Sequence, residues 1–321
     1  MLAGTGGSET YTAGHVRELL RRGIKAQIVI SGLKPIPSPG FRDLPFVFLK
    51  SPQDIIKLPG TLVFVNNYYP LKTRRRINMI VHNTIPNVVQ KPAYHRVTAK
   101  GKNVIATSVY GAHEWALYLK TRSSNIQVVH PFAAPAFGEV KRTKPGRRPR
   151  IIFASRLYPD KGIYTLLEAL HQRAVLKRGR QNWDVSIVTS GLHLEAGRTL
   201  ARMLHSYPYA KLIPAQKTVK GMASVLAAHD ILLMPSVYNE PFGMLSVEAQ
   251  HAGCRVVVSS VGGLPGTNCG LMTIVKPRHP VALLNGIEEA VTLGAATEKE
   301  RENAKKFFTL ESSVDALLQV L

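Results

Sequence analysis

Cysteine, acidic side chains and long apolar runs are all scarce in this chain of 321 residues. Only Cys254 and Cys269 occur, which excludes a disulfide scaffold and indicates a reducing compartment. No apolar run approaches the roughly 18 residues that a membrane-spanning helix needs, and no secretory signal is visible at Met1. We therefore predict a cytoplasmic protein that does not cross a bilayer.

Metal-binding patterns are missing as well. Histidine and cysteine clusters with zinc spacing do not occur, and no two aspartates stand in a D-x-D arrangement. We therefore expect neither a metal nor another cofactor. The six aspartates are Asp43, Asp54, Asp160, Asp184, Asp230 and Asp315.

The shortage of acid leaves a strong positive charge. The chain has 42 Lys and Arg against 20 Asp and Glu, a formal net charge of +22, and its densest basic clusters lie at residues 72–76 and 141–150. Such a surplus favours nucleic acid, an anionic membrane surface or phosphorylated substrates, although an ordinary solvated surface explains it equally well. A nucleic-acid-binding module is the weaker alternative, because no zinc finger, recognition helix or aromatic-interleaved basic strand is found.

Short, almost continuously apolar segments alternate with helical patterns along the whole chain. This alternation predicts parallel sheets built from βαβ units and covered on both faces. The predicted strands are residues 26–30, 62–65, 79–81, 104–106, 127–129, 150–154, 185–189, 211–213, 231–234 and 256–259, and the predicted helices include residues 9–22, 163–174, 222–228 and 245–252.

A stretch rich in Lys, Arg, Pro and Gly at 141–149 predicts a linker between two domains. We predict two doubly wound Rossmann-like α/β domains, residues 1–140 and 150–305, facing a cleft at the carboxyl ends of their strands. Residues 306–321 form a predicted C-terminal helix that packs back on the first domain. Only three residues precede the glycine-rich turn at 4–7, so the first strand is expected to be absent or reduced to a stub.

One candidate anion site follows the predicted strand 231–234. A helix starting near Phe242 would offer free N–H groups and the positive end of its dipole, and Gly243 would let a phosphate approach the backbone. Glu240 precedes this helix, and Glu248 lies roughly 8–9 Å along its axis. That distance suits a carboxylate that binds a ribose, but surface glutamates remain an equal alternative.

A second candidate site follows the first strand of the second domain. Arg156 and Lys161 stand on one loop there. Two cations so placed could neutralise a leaving diphosphate without a metal.

Together these motifs resemble glycosyltransferase family 4, the retaining nucleotide-sugar enzymes with the two-domain GT-B fold. The resemblance rests first on Ser155-Arg156-Leu157-x3-Lys161-Gly162 followed by Glu240-x7-Glu248, and it covers nearly the whole chain. The supporting motifs, in the order of the family, are Gly6-Gly7-Ser8-Glu9, Val81-His82, Thr107-Ser108, His229-Asp230-Ile231, Met234-Pro235-Ser236 and Gly262-Gly263-Leu264-Pro265.

The resemblance implies a metal-independent, hexosyltransferase-type enzyme of polysaccharide biosynthesis. Its co-substrate would be a nucleotide-diphosphate sugar, and its acceptor a hydroxyl of a glycan or a lipid-linked glycan. Arg156 and Lys161 would bind the donor diphosphate with backbone N–H groups around Phe242, Gly243 and Met244.

The resemblance also implies roles for residues around the sugar. Glu248 would bind the nucleotide ribose, Glu240 would sit beside the donor sugar, and His82 would face that sugar from the first domain. Gly6 and Gly7 would bring the backbone of the first domain close to the phosphates and the acceptor. We expect Glu240 and His82 to be the catalytic pair.

Three departures from the family pattern leave alternatives open. His130-Pro131-Phe132 stands where Pro-Asn-Gly is usual, Gly266 replaces an acidic residue, and the final helix looks short. An inactive GT-B-like protein and a nucleotide-sugar epimerase therefore remain alternatives. The basic loop with Lys72, Arg74, Arg75 and Arg76 further predicts peripheral binding to an anionic membrane.

Overall fold

The computed structural model describes residues 7–31, 39–66, 71–83, 103–175, 183–190 and 192–321. The chain forms two compact units. The first combines Met1–Phe132 with Phe308–Leu321, and the second comprises Ala133–Phe307. The division thus falls ahead of the stretch at 141–149, because a short helix after Ala134 packs against helices of the second unit.

The first unit contains parallel strands and flanking helices. In its described residues, β1 and β2 pair only with each other, whereas β3, β4, β5 and β6 form a parallel sheet in that order. Its elements are α1 (Gly7–Arg21), β1 (Ile28–Ser31), β2 (Phe46–Leu49), β3 (Leu62–Val65), β4 (Ile77–Val81), β5 (Asn103–Ala106), α2 (Val109–Leu119) and β6 (Gln127–Val128).

The second unit is built around one six-stranded parallel sheet with the order β12-β11-β10-β7-β8-β9. Its elements are α3 (Pro135–Glu139), β7 (Arg150–Arg156), α4 (Ile163–Val175), β8 (Asp184–Ser190), α5 (Glu195–Leu204), β9 (Ala210–Pro214), α6 (Val219–Ala227), β10 (Ile231–Met234), α7 (Met244–His251), β11 (Arg255–Ser259), β12 (Met272–Val275), α8 (Pro280–Leu293) and α9 (Glu298–Ala304). Aliphatic side chains of β7, β8 and β10 bury one face of this sheet beneath α4 and α8.

The C-terminal helix α10 (Leu310–Val320) belongs to the first unit, where it packs against α1. Arg22 forms an ion pair with Asp315 at 2.5 Å. The Ser313 hydroxyl donates to the His130 carbonyl at 2.5 Å and lies 3.1 Å from Nε2 of His15. Burial lowers the pKa of His15 to about 4, so this contact uses a neutral imidazole.

The prediction of a parallel α/β fold is confirmed. Each of the ten predicted strands is present, with ends within two residues of those expected. Two strands, β2 and β12, were not predicted, and the first unit divides its described strands between two sheets rather than one. The expected loss of a first strand concerns residues outside the described ones.

Part of the basic cluster at 141–150 is structural. Asp230 is 4% exposed, and its carboxylate accepts from Arg142 at 2.9 Å and from both the backbone and the guanidinium of Arg150 at 2.9–3.1 Å. These two arginines therefore tie the segment before β7 to the start of β10. None of the helices in the described parts of the chain is long and apolar enough to span a membrane.

Candidate active site

The loops after β7 and β10 meet at the carboxyl edge of the second unit's sheet. Gly162 adopts a φ of 81°, and a Cβ there would overlap the carbonyl oxygen of Pro235. The Val237 N–H donates to the Asp160 carbonyl at 2.9 Å. Only glycine permits this close approach of the two loops. The approach places the side chain of Lys161 in contact with Glu240.

Lys161 and Glu240 form a partly buried ion pair. The Lys161 ammonium lies 2.8 Å from Oε1 of Glu240, whose side chain is 7% exposed. The Ser236 hydroxyl donates to the same oxygen at 2.8 Å. Paired in this way, the two charges avoid the large cost of burying either alone.

Tyr238 completes the cluster. Its hydroxyl donates to Oε2 of Glu240 at 2.5 Å and accepts from the Lys161 ammonium at 2.8 Å. The ammonium also lies 4.5 Å from the centre of the Tyr238 ring. Burial and the Glu240 carboxylate raise the pKa of Tyr238, so its hydroxyl keeps its proton over the working pH range.

A second glycine contact holds Glu240 from the other side. The Gly263 N–H donates to the Glu240 carbonyl at 2.7 Å. Gly262 has a φ of 55°, and a Cβ there would overlap the Glu240 backbone. The loop after β11 can therefore close over the loop that carries Glu240.

The candidate anion site lies at the start of α7. The helix begins at Met244, two residues later than expected, after Gly243 with a φ of 116°. A Cβ on Gly243 would overlap the side chain of Leu264. Phe242 is 3% exposed, so its ring packs inside the unit and only its backbone could meet a ligand.

Gln250 fixes α7 against the loop after β11. Its side-chain amide donates to the Thr267 carbonyl at 2.8 Å and accepts from the Cys269 N–H at 2.8 Å. The Thr267 hydroxyl donates to the Leu264 carbonyl at 2.7 Å and therefore accepts from the Ser246 hydroxyl at 2.9 Å. Because these groups are buried and fully paired, the start of the helix is held in one position.

Glu248 has a different environment from Glu240. It lies in the second turn of α7 and is only partly exposed, and within the described residues its carboxyl has no hydrogen-bond or ion-pair partner. Burial raises the pKa of this carboxyl to about 7. An unpaired acceptor of this kind suits a ligand that brings its own hydroxyl donors.

Arg156 ends β7 at the same edge of the sheet. Its guanidinium lies 5.3 Å from the ring centre of Tyr158, and both side chains are exposed. Among the residues that the structure describes, the guanidinium donates to no protein group. The second unit thus brings together Arg156, Lys161, Glu240 and the start of α7.

His82 and Gly7 belong to the first unit and are described there. His82 follows β4, its N–H donates to Oδ1 of Asn66 at 2.8 Å, and its ring packs edge-on against Tyr11. Burial lowers the pKa of His82 to about 3, and its buried Nε2 has no hydrogen-bond partner in the described ranges. Gly7 opens α1 and is exposed, whereas Gly6 lies outside the described residues.

Two members of the cluster were not predicted as site residues. Ser236 belongs to a motif that the sequence had already singled out, but no chemistry pointed to its hydroxyl. Tyr238 carries no motif, and only its position two residues before Glu240 could have drawn attention to it. The described parts of the chain contain no group of three or more side chains suited to hold a metal.

Comparison with known proteins agrees with this description. Residues 148–292 match the family model "Glycosyl transferases group 1". A D-inositol 3-phosphate glycosyltransferase of Mycobacterium ulcerans is 31% identical over 213 residues, which are 61% of this chain and 44% of that protein. The chain therefore matches less than half the length of this curated relative.

Solved structures show the same fold. A glycosyltransferase from Rickettsia africae has a TM-score of 0.77 at 18% identity, covering 98% of this chain and 94% of that one. HepE of Anabaena, in complex with UDP-glucose, has a TM-score of 0.71 at 17% identity, covering 98% and 96%. The fold is that of the GT-B glycosyltransferases. The residues that match the group 1 family model, 148–292, lie within the second unit.

Proposed function

We propose that the chain is a retaining glycosyltransferase that moves a sugar, most simply a hexose, from a nucleotide-diphosphate sugar to a hydroxyl acceptor. The acceptor would be a glycan or a lipid-linked glycan. The observation that carries this proposal is the convergence of Arg156, the Lys161–Glu240 pair and the start of α7 at one edge of a parallel sheet. Ligands of open α/β sheets bind at this edge.

The diphosphate would bind to Arg156, Lys161 and the N-terminus of α7. Lys161 donates one N–H to Tyr238 and one to Glu240, so its third N–H would bind a phosphate oxygen. The first N–H groups of a helix have no partner within it and favour an anion, so those at the start of α7 would bind the diphosphate. These groups would stabilise the negative charge that develops on the leaving diphosphate.

The nucleotide ribose would bind to Glu248. A ribose presents two adjacent hydroxyl donors, and the Glu248 carboxyl is an acceptor with no protein partner among the described residues. Ribose binding would therefore satisfy a group that folding leaves unpaired.

Glu240 would orient the donor side rather than attack it. Both of its oxygens already accept hydrogen bonds, Oε1 from Lys161 and Ser236 and Oε2 from Tyr238. A carboxylate engaged in this way is a poor nucleophile. In the retaining reaction that the family resemblance implies, a phosphate oxygen of the donor helps to deprotonate the acceptor on the same face of the sugar.

Catalysis would need no metal, since Arg156 and Lys161 supply the positive charge at the diphosphate. Turnover that persists in excess chelator supports this part of the proposal, whereas a complete loss that added Mg²⁺ reverses would refute it.

Thermal unfolding with a nucleotide-sugar panel tests the function. UDP-glucose, UDP-galactose, UDP-N-acetylglucosamine, GDP-mannose and ADP-glucose would be compared with UDP, GDP and ADP. A donor at 100 times its Kd stabilises the protein by about 2.7 kcal/mol. Hydrolysis or transfer assays on the donor that binds best then separate a transferase from an inactive protein and from an epimerase, which would return an isomerised nucleotide sugar. No shift with any nucleotide would overturn the proposal.

The first unit would contribute binding to an anionic membrane, where a lipid-linked acceptor resides. Lys72, Arg74 and Arg76 are exposed. The Arg76 guanidinium also donates to the Val320 carbonyl at 3.3 Å. Arg75 is engaged, because its guanidinium donates to the carbonyls of Ile56, Leu58 and Gly60. Fewer basic side chains than expected are thus free to meet lipid headgroups.

A further inference from the structure

Tyr238 contacts both members of the central ion pair. It lies in the loop between β10 and α7, and its hydroxyl is 2.5 Å from Oε2 of Glu240 and 2.8 Å from Nζ of Lys161. The same ammonium lies 4.5 Å from the centre of the ring, a distance that follows from its hydrogen bond to the hydroxyl. Tyr238 therefore contacts Lys161 and Glu240 through one group, its hydroxyl.

Only one assignment of donors and acceptors satisfies all the hydrogen bonds of this cluster. Tyr238 has a single O–H, and the carboxylate can only accept, so that proton goes to Glu240. The phenol oxygen then accepts from Lys161, whose second N–H goes to Oε1 of Glu240. Because two of the three N–H groups of the ammonium have these acceptors, its tetrahedral geometry fixes the direction of the third.

We propose that Tyr238 is a positioning residue, which aims the remaining N–H of Lys161 at the donor phosphate and holds the Glu240 side chain in place. This inference rests on the proposed function and assigns a role to a residue outside the family motifs. Its hydroxyl acts on the substrate only through Lys161 and Glu240.

Other charges also act on this cluster. The Asp160 carboxylate raises the pKa of Tyr238 and Arg156 lowers it, with burial and Glu240 as the larger causes. Arg278, after β12, reaches the carbonyl of Val237 at 3.4 Å. The charged groups around the Tyr238 loop are therefore Asp160, Arg156, Lys161, Glu240 and Arg278.

The test compares Tyr238→Phe with Tyr164→Phe in the full chain. Tyr164 lies on α4, is 62% exposed and serves as the matched control. Hydrogen bonds to charged groups contribute about 1.5–3 kcal/mol, so kcat/KM for the best donor of the panel should fall roughly 10- to 150-fold in Tyr238→Phe. UDP should also bind more weakly to this variant, because the Lys161 ammonium has lost the acceptor that directs its third N–H. Tyr164→Phe should match the wild type.

Two further variants separate positioning from a merely structural role. Ser236→Ala removes a donor from Glu240 but no contact of Lys161, so it should weaken UDP binding less than Tyr238→Phe does. If Tyr238 acts through Lys161, the double variant Lys161→Ala/Tyr238→Phe should lose little more activity than Lys161→Ala. The cycle compares all four proteins, and the free energy of unfolding of each is measured beside kcat/KM, so that poor folding of Tyr238→Phe is separated from a loss of positioning.

The outcomes separate the inference about Tyr238 from the proposed function. An active wild type whose Tyr238→Phe variant keeps its kcat/KM and UDP affinity overturns the inference alone, as does full additivity with Lys161→Ala. A wild type that binds no nucleotide overturns the proposed function, and the inference with it.

Discussion

Replacing Glu248 with glutamine should stabilise the folded protein at alkaline pH while weakening nucleotide binding. Burial raises the pKa of this carboxyl from 4.5 to about 7. The unfolded chain therefore releases the proton near pH 4.5, whereas the folded chain holds it until about pH 7. The contribution of Glu248 to the free energy of unfolding is therefore largest below pH 4.5 and is lost as the pH rises from about 4.5 to about 7. The full difference between the two pKa values corresponds to about 3 kcal/mol in the free energy of unfolding. Because the side chain is partly exposed, we expect about 1–3 kcal/mol.

Urea unfolding at pH 5 and pH 8 measures this effect. At pH 8, Glu248→Gln should raise the free energy of unfolding by about 1–3 kcal/mol without a change in m-value. At pH 5 the gain should shrink below about 1 kcal/mol, because Glu248 is then neutral in the folded protein. The control is Glu168→Gln on α4, an exposed carboxyl that should show no such pH dependence.

Nucleotide binding provides the opposing half of the same prediction. The side-chain amide of the Glu248→Gln variant accepts through one oxygen only, so UDP should bind the variant more weakly. An equal stability gain at both pH values would contradict the burial argument. Unchanged UDP affinity would contradict the ribose assignment.

Three further predictions concern the donor, the product and the membrane. Arg156→Ala or Lys161→Ala should cost roughly 2–4 kcal/mol of transition-state stabilisation, read from kcat/KM; unaltered activity in both would refute the diphosphate site. The transferred sugar should keep its anomeric configuration, which NMR of the product linkage determines, and inversion would show that the family resemblance misleads. Anionic vesicles should bind the protein in low salt and release it as salt rises. Lys72→Ala/Arg74→Ala should weaken that binding, whereas Arg75→Ala should mainly lower stability; equal sedimentation with neutral vesicles would exclude the electrostatic surface.

Much of the second unit could be predicted because its strands are buried on both faces. Such strands are nearly continuous apolar runs, as in residues 231–234 and 255–259, and they stand out from the polar loops between them. Once a parallel sheet is predicted, the loops after its strands must share one edge. The approach of Lys161 to Glu240 follows from that rule, although the distance between them does not.

The missed strands lack this signal. In β12 the side chain of Ile274 is 49% exposed while Val275 is buried, so four residues show only a brief alternation. β2 is equally short, and none of its residues is fully buried. Sequences of this length specify a strand only through the neighbour with which they pair, β11 for β12 and β1 for β2.

The number of charges did not predict which basic side chains are paired within the fold. Arg142 and Arg150 belong to a cluster that looked like a solvated linker, but both bind the buried Asp230 carboxylate. Arg75 likewise serves three backbone carbonyls. A basic side chain is available to an external anion only if folding leaves it unpaired, and that depends on contacts between distant parts of the chain.

The two glutamates of the Glu240-x7-Glu248 motif also differ in whether folding gives their charge a partner. Glu240 is 6% exposed and accepts hydrogen bonds from three side chains, including the Lys161 ammonium. Removing its charge leaves a partly buried lysine without its counter-ion, a change that destabilises buried pairs by about 3–5 kcal/mol and somewhat less at this partly open site. Glu248 has no such partner among the described residues, so its charge opposes folding. Glutamine should therefore lower the free energy of unfolding at position 240 and raise it at position 248, and urea titration of both variants at pH 8 measures the two signs. The same sign at both positions would show that the two carboxylates do not differ in the way their contacts require.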